Sequence, residues 1–206
     1  MEKSIAGVES VVRYSTSSVS IKKESETEPK IFRQRLAFVD NNFFETFSFP
    51  ELMGSTSTIS DVNTIVLEER TAERYFGDQN PIGQSLTLFN SKGEPIEFKV
   101  GAVLKRIPNN SIVDFSAAIT FSNFMRFYEV NEFDWTAWIG GIFLTIPNSA
   151  DVPNVESYLN SFTEIQNKAR EDWKITKFEL MNLHEFTKAS RDIWANWIGF
   201  NLHPAQ

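Results

Sequence analysis

The sequence has no cysteine, which removes disulfides, thiolate metal sites and cysteine nucleophiles together. The compartment stays open, because cysteine-free domains occur on both sides of bacterial membranes. Histidine is scarce too: there are His184 and His203, and His203 stands close to the last residue. No apolar run approaches the roughly 20 residues that cross a bilayer. The opening MEKSIAGVES lacks the charged-then-apolar order of a secretion leader. Those features fit a soluble cytoplasmic chain, and equally an ectodomain separated from its membrane helices. Nor is there a basic run, and the formal net charge is -7. That balance weighs against a nucleic-acid surface and against adhesion to anionic lipid through a polybasic patch.

What is present is ordinary globular usage. Hydrophobic residues make up 41% of 206, enough to bury a core as one domain or two small lobes. The 19 phenylalanines point to a core built on aromatic packing. Residues 8–21 (VESVVRYSTSSVSI) read as one or two strands, followed by a polar loop, KKESETEPK. IFRQRLAFVD ends as a strand at Val39, and Asn41 and Asn42 are N-cap candidates for a short helix, FFETFSF, closed by Pro50. TIVL at 64–67 reads as a buried strand that runs into a helix, EERTAERYFG. In that helix Ala72, Tyr75 and Phe76 share one face and Gly77 takes the position just past the end.

Leu86, Leu88, Ile96, Phe98 and Val100 alternate about Ser91-Lys92-Gly93 as a β-hairpin. A further strand pair is expected at 115–121 and 142–146, with an aromatic stretch between them that local patterns leave unassigned. Then comes the clearest helix, with Asp151 as cap and Pro153 in its first turn. Its apolar stripe is Val155, Tyr158, Leu159, Phe162, Ile165, Ala169 and Trp173. KITKFELMNL after it reads as a strand. Hairpins mixed with β-α steps give an α+β fold.

Catalytic groups are thin. RYFGDQNPIGQSLTL has the glycines of a phosphate loop, but Gln84 stands where that loop needs lysine. The order is helix, loop, strand, so the nearest helix end is the C-terminus, whose partial negative charge repels phosphate. The segment reads as a turn. A Ser-His-Asp triad would have to use His184, and no G-x-S-x-G elbow supplies its serine; His184 reads as a surface residue at a strand end. Glu68, Glu69 and Glu73 cluster, yet helical spacing places Glu69 and Glu73 on one wet face. Trp135, Trp138, Trp194 and Trp197 could form a binding platform, although buried or interface packing is the commoner role of tryptophan.

Several segments, in order, resemble the MacB-like periplasmic core domain of MacB/FtsX-type ABC transporter permeases. They are GVESVVRY at 7–14, FVDNNFFETFSFPELMGS at 38–55, NTIVLEERTAERYFGDQNPIGQSLTL at 63–88, FKVGAVLKRIPNNS at 98–111 and FELMNLHEF near Phe178. The likeness spans roughly residues 5–186 and is most specific in the middle block. The family's V-x-G-V-L becomes Val100-Gly101-Ala102-Val103-Leu104, one residue longer, as a β-bulge would make it. Residues 127–141 and the tail after Thr187 match none of the family's segments.

The resemblance implies a two-lobed, non-catalytic domain outside the inner membrane, with a long amphipathic helix near its C-terminus and no cofactor. One lobe would be residues 1–50 with 142–190, the other the inserted residues 51–141, and 191–206 a juxtamembrane tail. Pro50, Gly140 and Gly141 would be the hinges. The implied partners are the rest of the permease chain, its cytoplasmic ATPase and a periplasmic adaptor or lipoprotein. Two other functions compete. The aromatic stretch 124–138 fits a domain that senses a peptide or lipid between its lobes, with Phe127, Tyr128, Trp135 and Trp138 as contacts. Least favoured is a cytoplasmic hydrolase using the glutamate cluster.

Overall fold

A computed structural model describes residues 5–24, 28–108, 111, 113–131 and 133–189. The tail 191–206, with Trp194, Trp197 and His203, lies outside the described residues. The elements are β1 (Ser10–Lys23), β2 (Lys30–Val39), α1 (Phe43–Thr46), β3 (Glu51–Gly54), β4 (Thr64–Glu68), α2 (Glu69–Phe76), β5 (Ser85–Phe89), β6 (Pro95–Leu104), β7 (Ala117–Thr120), α3 (Ser122–Tyr128), β8 (Gly141–Thr145), α4 (Val152–Asn160), α5 (Thr163–Ala169) and α6 (Leu183–Ala189). The fold is α+β, as the alternation of hairpins and β-α steps implies.

All the strands join one sheet in the order β2-β7-β4-β6-β5-β1-β8, with β3 on β6, and β1 also pairs β2. That last pairing closes the path on itself, because the far end of β1 meets β5 at Ile21↔Leu88 while its length pairs β2. Strands from within residues 51–141 and from outside them are hydrogen-bonded together: β2 runs parallel to β7, and β1 antiparallel to β5.

The strand alternation sorts the core into two faces. Leu36, Phe38, Ile65, Leu67, Ala117 and Ile119 belong to one cluster, under α2 and α3. Their neighbours Ala37, Val39, Val66 and Ala118 belong to the other, with Phe43 of α1. In β6 the phase slips: Phe98 and Val100 share the first face, and so does Val103, whereas Ala102 and Leu104 turn to the second. Gly101 is the extra residue, since Ile65 pairs Val100 and Val66 pairs Ala102. The bulge expected from the lengthened motif is present.

Local signals hold best in the middle. β4 runs straight into α2, where Ala72, Tyr75 and Phe76 are buried. Tyr75 donates its hydroxyl to Ile21 O at 2.9 Å, and burial pushes that phenol up to about 12, so it remains a donor at any physiological pH. The glycine segment is a turn whose amides are used internally. Gly83 N donates to Val100 O and Gln84 N to Pro81 O.

Other expectations are corrected. Asn41 and Asn42 do not cap α1 with their side chains: Asn42 donates to Val11 O and Asn41 accepts from Thr120, tying α1 to β1 and β7. α1 ends at Thr46, before Pro50 is reached. β7 and β8 both form but do not pair; β7 lies between β2 and β4, and β8 lies on β1. The C-terminal helix is interrupted between α4 and α5, where Ser161 Oγ and Asn160 Nδ2 bond to carbonyls of the preceding turn and compete with the helical ladder. Asp151 takes the N-cap position of α4 without a side-chain bond, Asn148 caps the turn 149–151 before it, and Trp173 lies past the end of α5.

Residues 174–182 form no strand, because side chains take the place of a neighbouring strand. Asn160 accepts from Phe178 N and donates to Phe178 O, and Asn167 does the same for Ile175. Glu156 accepts from Leu180 N. His184 is exposed, as expected, but sits in α6 and not at a strand end.

Candidate functional site

β1 carries β8 and β5 on the same edge, and a gap lies between them. Tyr14 pairs both Val39 of β2 and Gly141 of β8, and Ile21 pairs both Phe32 of β2 and Leu88 of β5. Each pair of partners must lie on opposite edges of β1, so residues 15–20 have no strand on the β5/β8 edge. Against the start of that gap lies a cleft of about 600 Å³.

Its walls come from four parts of the chain. Ser15 and Thr16 are the β1 side, and Phe124 and Tyr128 come from α3. Residues 137–140 lead into β8, and Arg170 and Trp173 follow α5. The rings are arranged in pairs: Phe124 and Tyr128 have centroids 4.9 Å apart, and Trp138 and Trp173 meet edge-to-face at 4.9 Å. Arg170 lies over the Trp138 ring at 5.6 Å while its guanidinium holds Asp172 through two bonds of 2.9 Å. That pairing keeps the Asp172 carboxyl below the usual range.

The four aromatic candidates separate. Tyr128 and Trp138 line this cleft. Phe127 does not: it is 1% exposed, packed on Phe38 at 5.3 Å and near Phe98 at 6.3 Å. Phe124 and Tyr128, four residues apart, share the side of α3 that meets the cleft, while Phe127 is turned onto the sheet between Phe38 and Phe98. Trp135 stacks on Phe162 at 5.8 Å and lines an adjoining pocket of about 210 Å³. Gly140 lies so close to β1 that a Cβ there would come 3.0 Å from Tyr14 O. Trp173, Arg170, Ser15 and Thr16 carried no site signal in the sequence, because only the fold brings them to Trp138.

The glutamate cluster lies elsewhere, around the start of α2. Glu68 is 8% exposed and its Oε2 accepts from Arg70 N at 3.0 Å, capping α2. Glu69 and Glu73 both face Arg106, at 3.3 and 3.7 Å. The three therefore serve a cap and a surface ion pair. Burial raises the Glu68 pKa above its ordinary value of 4.5. The folded protein then binds that proton more tightly than the unfolded chain. The stabilising contribution is complete below pH 4.5 and is lost as pH rises through the raised value. Glu68→Gln keeps an acceptor for the Arg70 amide and removes the titration. Its melting temperature, measured against pH, is expected to gain on that of the parent protein as pH rises from 4.5 to neutrality.

Among the described residues no helix is long and apolar enough to cross a membrane, and no group of acidic or histidine side chains is placed to hold a metal. A family model described as the MacB-like periplasmic core domain matches residues 1–162. The chain belongs to that family.

Solved structures agree on the fold. The chain is similar to the periplasmic region of MacB from Actinobacillus actinomycetemcomitans, with 20% identity and a TM-score of 0.58 over 91% of this chain and 78% of that one. It is also similar to the extracellular domain of the noncanonic ABC-type transporter YknZ from Gram-positive bacteria, with 15% identity and a TM-score of 0.58 over 87% and 84%. A domain of a putative permease protein from Porphyromonas gingivalis matches with 15% identity and a TM-score of 0.60 over 91% and 82%. Comparison with curated proteins gives no match. The MacB-like domain described here is thus an extracytoplasmic part of an ABC transporter permease, a class that works with an ATPase.

Proposed function

We propose that this domain is a non-catalytic transmitter. It passes ATP-driven movement of the permease's membrane helices to a substrate or partner protein outside the membrane. The observation that carries the reading is an imbalance of burial. Among the described residues 141–186, only Val155 is buried, whereas β4, β7 and the C-terminal ends of β2 and β6 are packed on both faces. A layer with so few buried contacts shifts at low cost, and a sheet so packed moves as one body.

The long strand β1 spans the two. Its first residues pair β8, and its last, about 40 Å away at the usual rise per residue, pair β5. Movement applied at the β8 end reaches the far side of the sheet through one hydrogen-bonded strand. The lobes proposed from the family resemblance, residues 1–50 with 142–190 and residues 51–141, share that sheet, so the helical layer after β8 is the proposed moving part. Gly140 and Gly141, where the chain enters β8, are its proposed hinge, with Pro50 a second at the entry to β3. A cytoplasmic ATPase supplies the force, and a periplasmic adaptor or lipoprotein is the kind of partner that receives it.

The absence of cysteine from this domain makes a direct test simple. Ser15→Cys and Trp173→Cys place one thiol on the sheet and one on the helical layer, both lining the cleft, and a cleavable bifunctional reagent can bridge them in the intact permease. Export is expected to stop on bridging and to return on reduction, with ATPase assembly unchanged and each single-cysteine variant unaffected. Undiminished export by the bridged protein would overturn the proposal.

A second reading is favoured by the cleft itself. Its volume of about 600 Å³ and its paired rings are those of a ligand site, so the domain would also sense a molecule held between the sheet and the layer.

A further inference from the structure

We infer that the cleft binds a neutral, largely apolar small molecule, with ring faces around its body and the Ser15 hydroxyl meeting one polar group. The inference rests on the ligand-sensing reading and gives that reading a chemical class.

Size sets the first limit. About 600 Å³ lies within the range of roughly 300–1,000 Å³ that single small ligands occupy. Charge sets the second. Among the described residues Arg170 is the one charged residue lining the cleft, and Asp172 already holds its guanidinium in two bonds. An anionic ligand would have to displace that carboxylate or sit beside it, and a cation would meet an arginine, so a neutral ligand is preferred. The remaining lining supplies Phe124, Tyr128, Val130, Trp138, Ile139 and Trp173, surfaces that reward apolar area.

Polarity is concentrated at one place. Ser15 pairs Phe38 and so points to the face that carries Phe124, whereas Thr16 pairs Ala37 and points to the other. The Ser15 hydroxyl makes no hydrogen bond among the described residues and stands where β1 has lost its neighbour on that edge, so it can donate to, or accept from, one carbonyl or hydroxyl of a ligand without giving up an existing bond. Because the walls come from the sheet and from the lightly buried layer together, occupancy stabilises the closed arrangement of the two.

The test is a titration of the 206-residue chain with N-phenyl-1-naphthylamine, an uncharged aromatic probe, followed by probe emission and by quenching of tryptophan emission. Saturable binding of one probe per chain is expected. Trp138→Ala removes a wall and Ala137→Phe fills the space from its partly exposed rim; each is expected to weaken binding at least about tenfold, or about 1.4 kcal/mol. Trp135→Ala, whose ring lies on Phe162 outside this cleft, is expected to leave affinity within about twofold. Circular dichroism checks the fold of every variant, and Ala137→Phe stands as the independent variant should Trp138→Ala misfold. The sulfonated analogue, 8-anilino-1-naphthalenesulfonate, is expected to bind at least about tenfold more weakly than the neutral probe.

No saturable binding, or binding that neither cleft variant alters, overturns the ligand-sensing reading together with this inference. Cleft-dependent binding in which the sulfonate equals or exceeds the neutral probe overturns the chemical class alone.

Discussion

Replacing Phe43 with alanine is expected to destabilise the domain by about 3–5 kcal/mol, the usual cost of emptying a buried phenylalanine site. Phe43 has 0% exposure and is the hub of one core face. Its ring stacks on Tyr14 at 5.8 Å and Phe49 at 5.7 Å, and meets Phe44, Phe47 and Phe115 at 5.2, 5.1 and 6.1 Å. α1 is four residues long and far too short to be stable alone. The helix is therefore held by what Phe43 buries. Removing that ring undermines the position of Phe47 as well, and with it the Phe47–Phe143 contact at 4.9 Å that ties α1 to β8. Urea unfolding checks the magnitude, and the thermal midpoint is expected to fall by about 10 °C at the usual scaling for a domain of this size. Phe43→Leu, which keeps most of the volume, is expected to cost about half as much or less. Equal losses for the two variants would show that the ring contacts themselves, and not the volume filled, set the cost.

Gly54→Ala is the second large effect, expected at about 3 kcal/mol from backbone strain and steric overlap together. Gly54 has φ of 70°, and a Cβ built there would stand 2.1 Å from Gly101 O and 3.0 Å from Ala102 Cα. Those are backbone atoms of β6 at its bulge, so no side chain can rotate away. Gly101 is crowded in turn, since its own Cβ would come 2.2 Å from Thr58 Oγ1. The β3–β6 contact is thus made by two glycines, and it allows the slip that turns Ala102 and Leu104 toward Phe43's face. Gly93→Ala separates the two contributions. Gly93 has φ of 80° with open space around it, so alanine there carries the strain of about 1–2 kcal/mol without the overlap. Gly54→Ala costing no more than Gly93→Ala in denaturant unfolding would refute the overlap.

The parts of the fold legible in the sequence are those whose signals are local. TIVL followed by a helix with Ala72, Tyr75 and Phe76 on one face, then a glycine turn and an alternating hairpin, needs no distant partner to be recognised. The lengthened Val100–Leu104 motif is also local, because a bulge shifts the alternation within the strand that contains it. Strand partners are another matter. β7 and β8 each looked like strands, yet whether β7 meets β2, β4 or β8 depends on the path of the whole sheet. The KITKFELMNL pattern misled for a similar reason. Its alternation is real, but Asn160 and Asn167 offer the hydrogen bonds that a neighbouring strand would offer. A side-chain amide carries the same donor and acceptor as a peptide group.

The sequence by itself determined the function class: ordered motif blocks identify a MacB-like domain. It also placed Tyr128 and Trp138 among the candidate contacts, because aromatic residues so dense in one stretch stand out without a fold. The tertiary structure alone decided which of those rings share a cleft. Phe127 went to the core by helical phase, Trp135 went to Phe162, and Trp173 and Arg170 arrived from beyond α5 to complete the walls. Ser15 became a polar point in the cleft only because β8 leaves β1 before β5 joins it. A cleft is a relation between distant segments. Local sequence sets which side chains are available, and the closing of the sheet sets which of them meet.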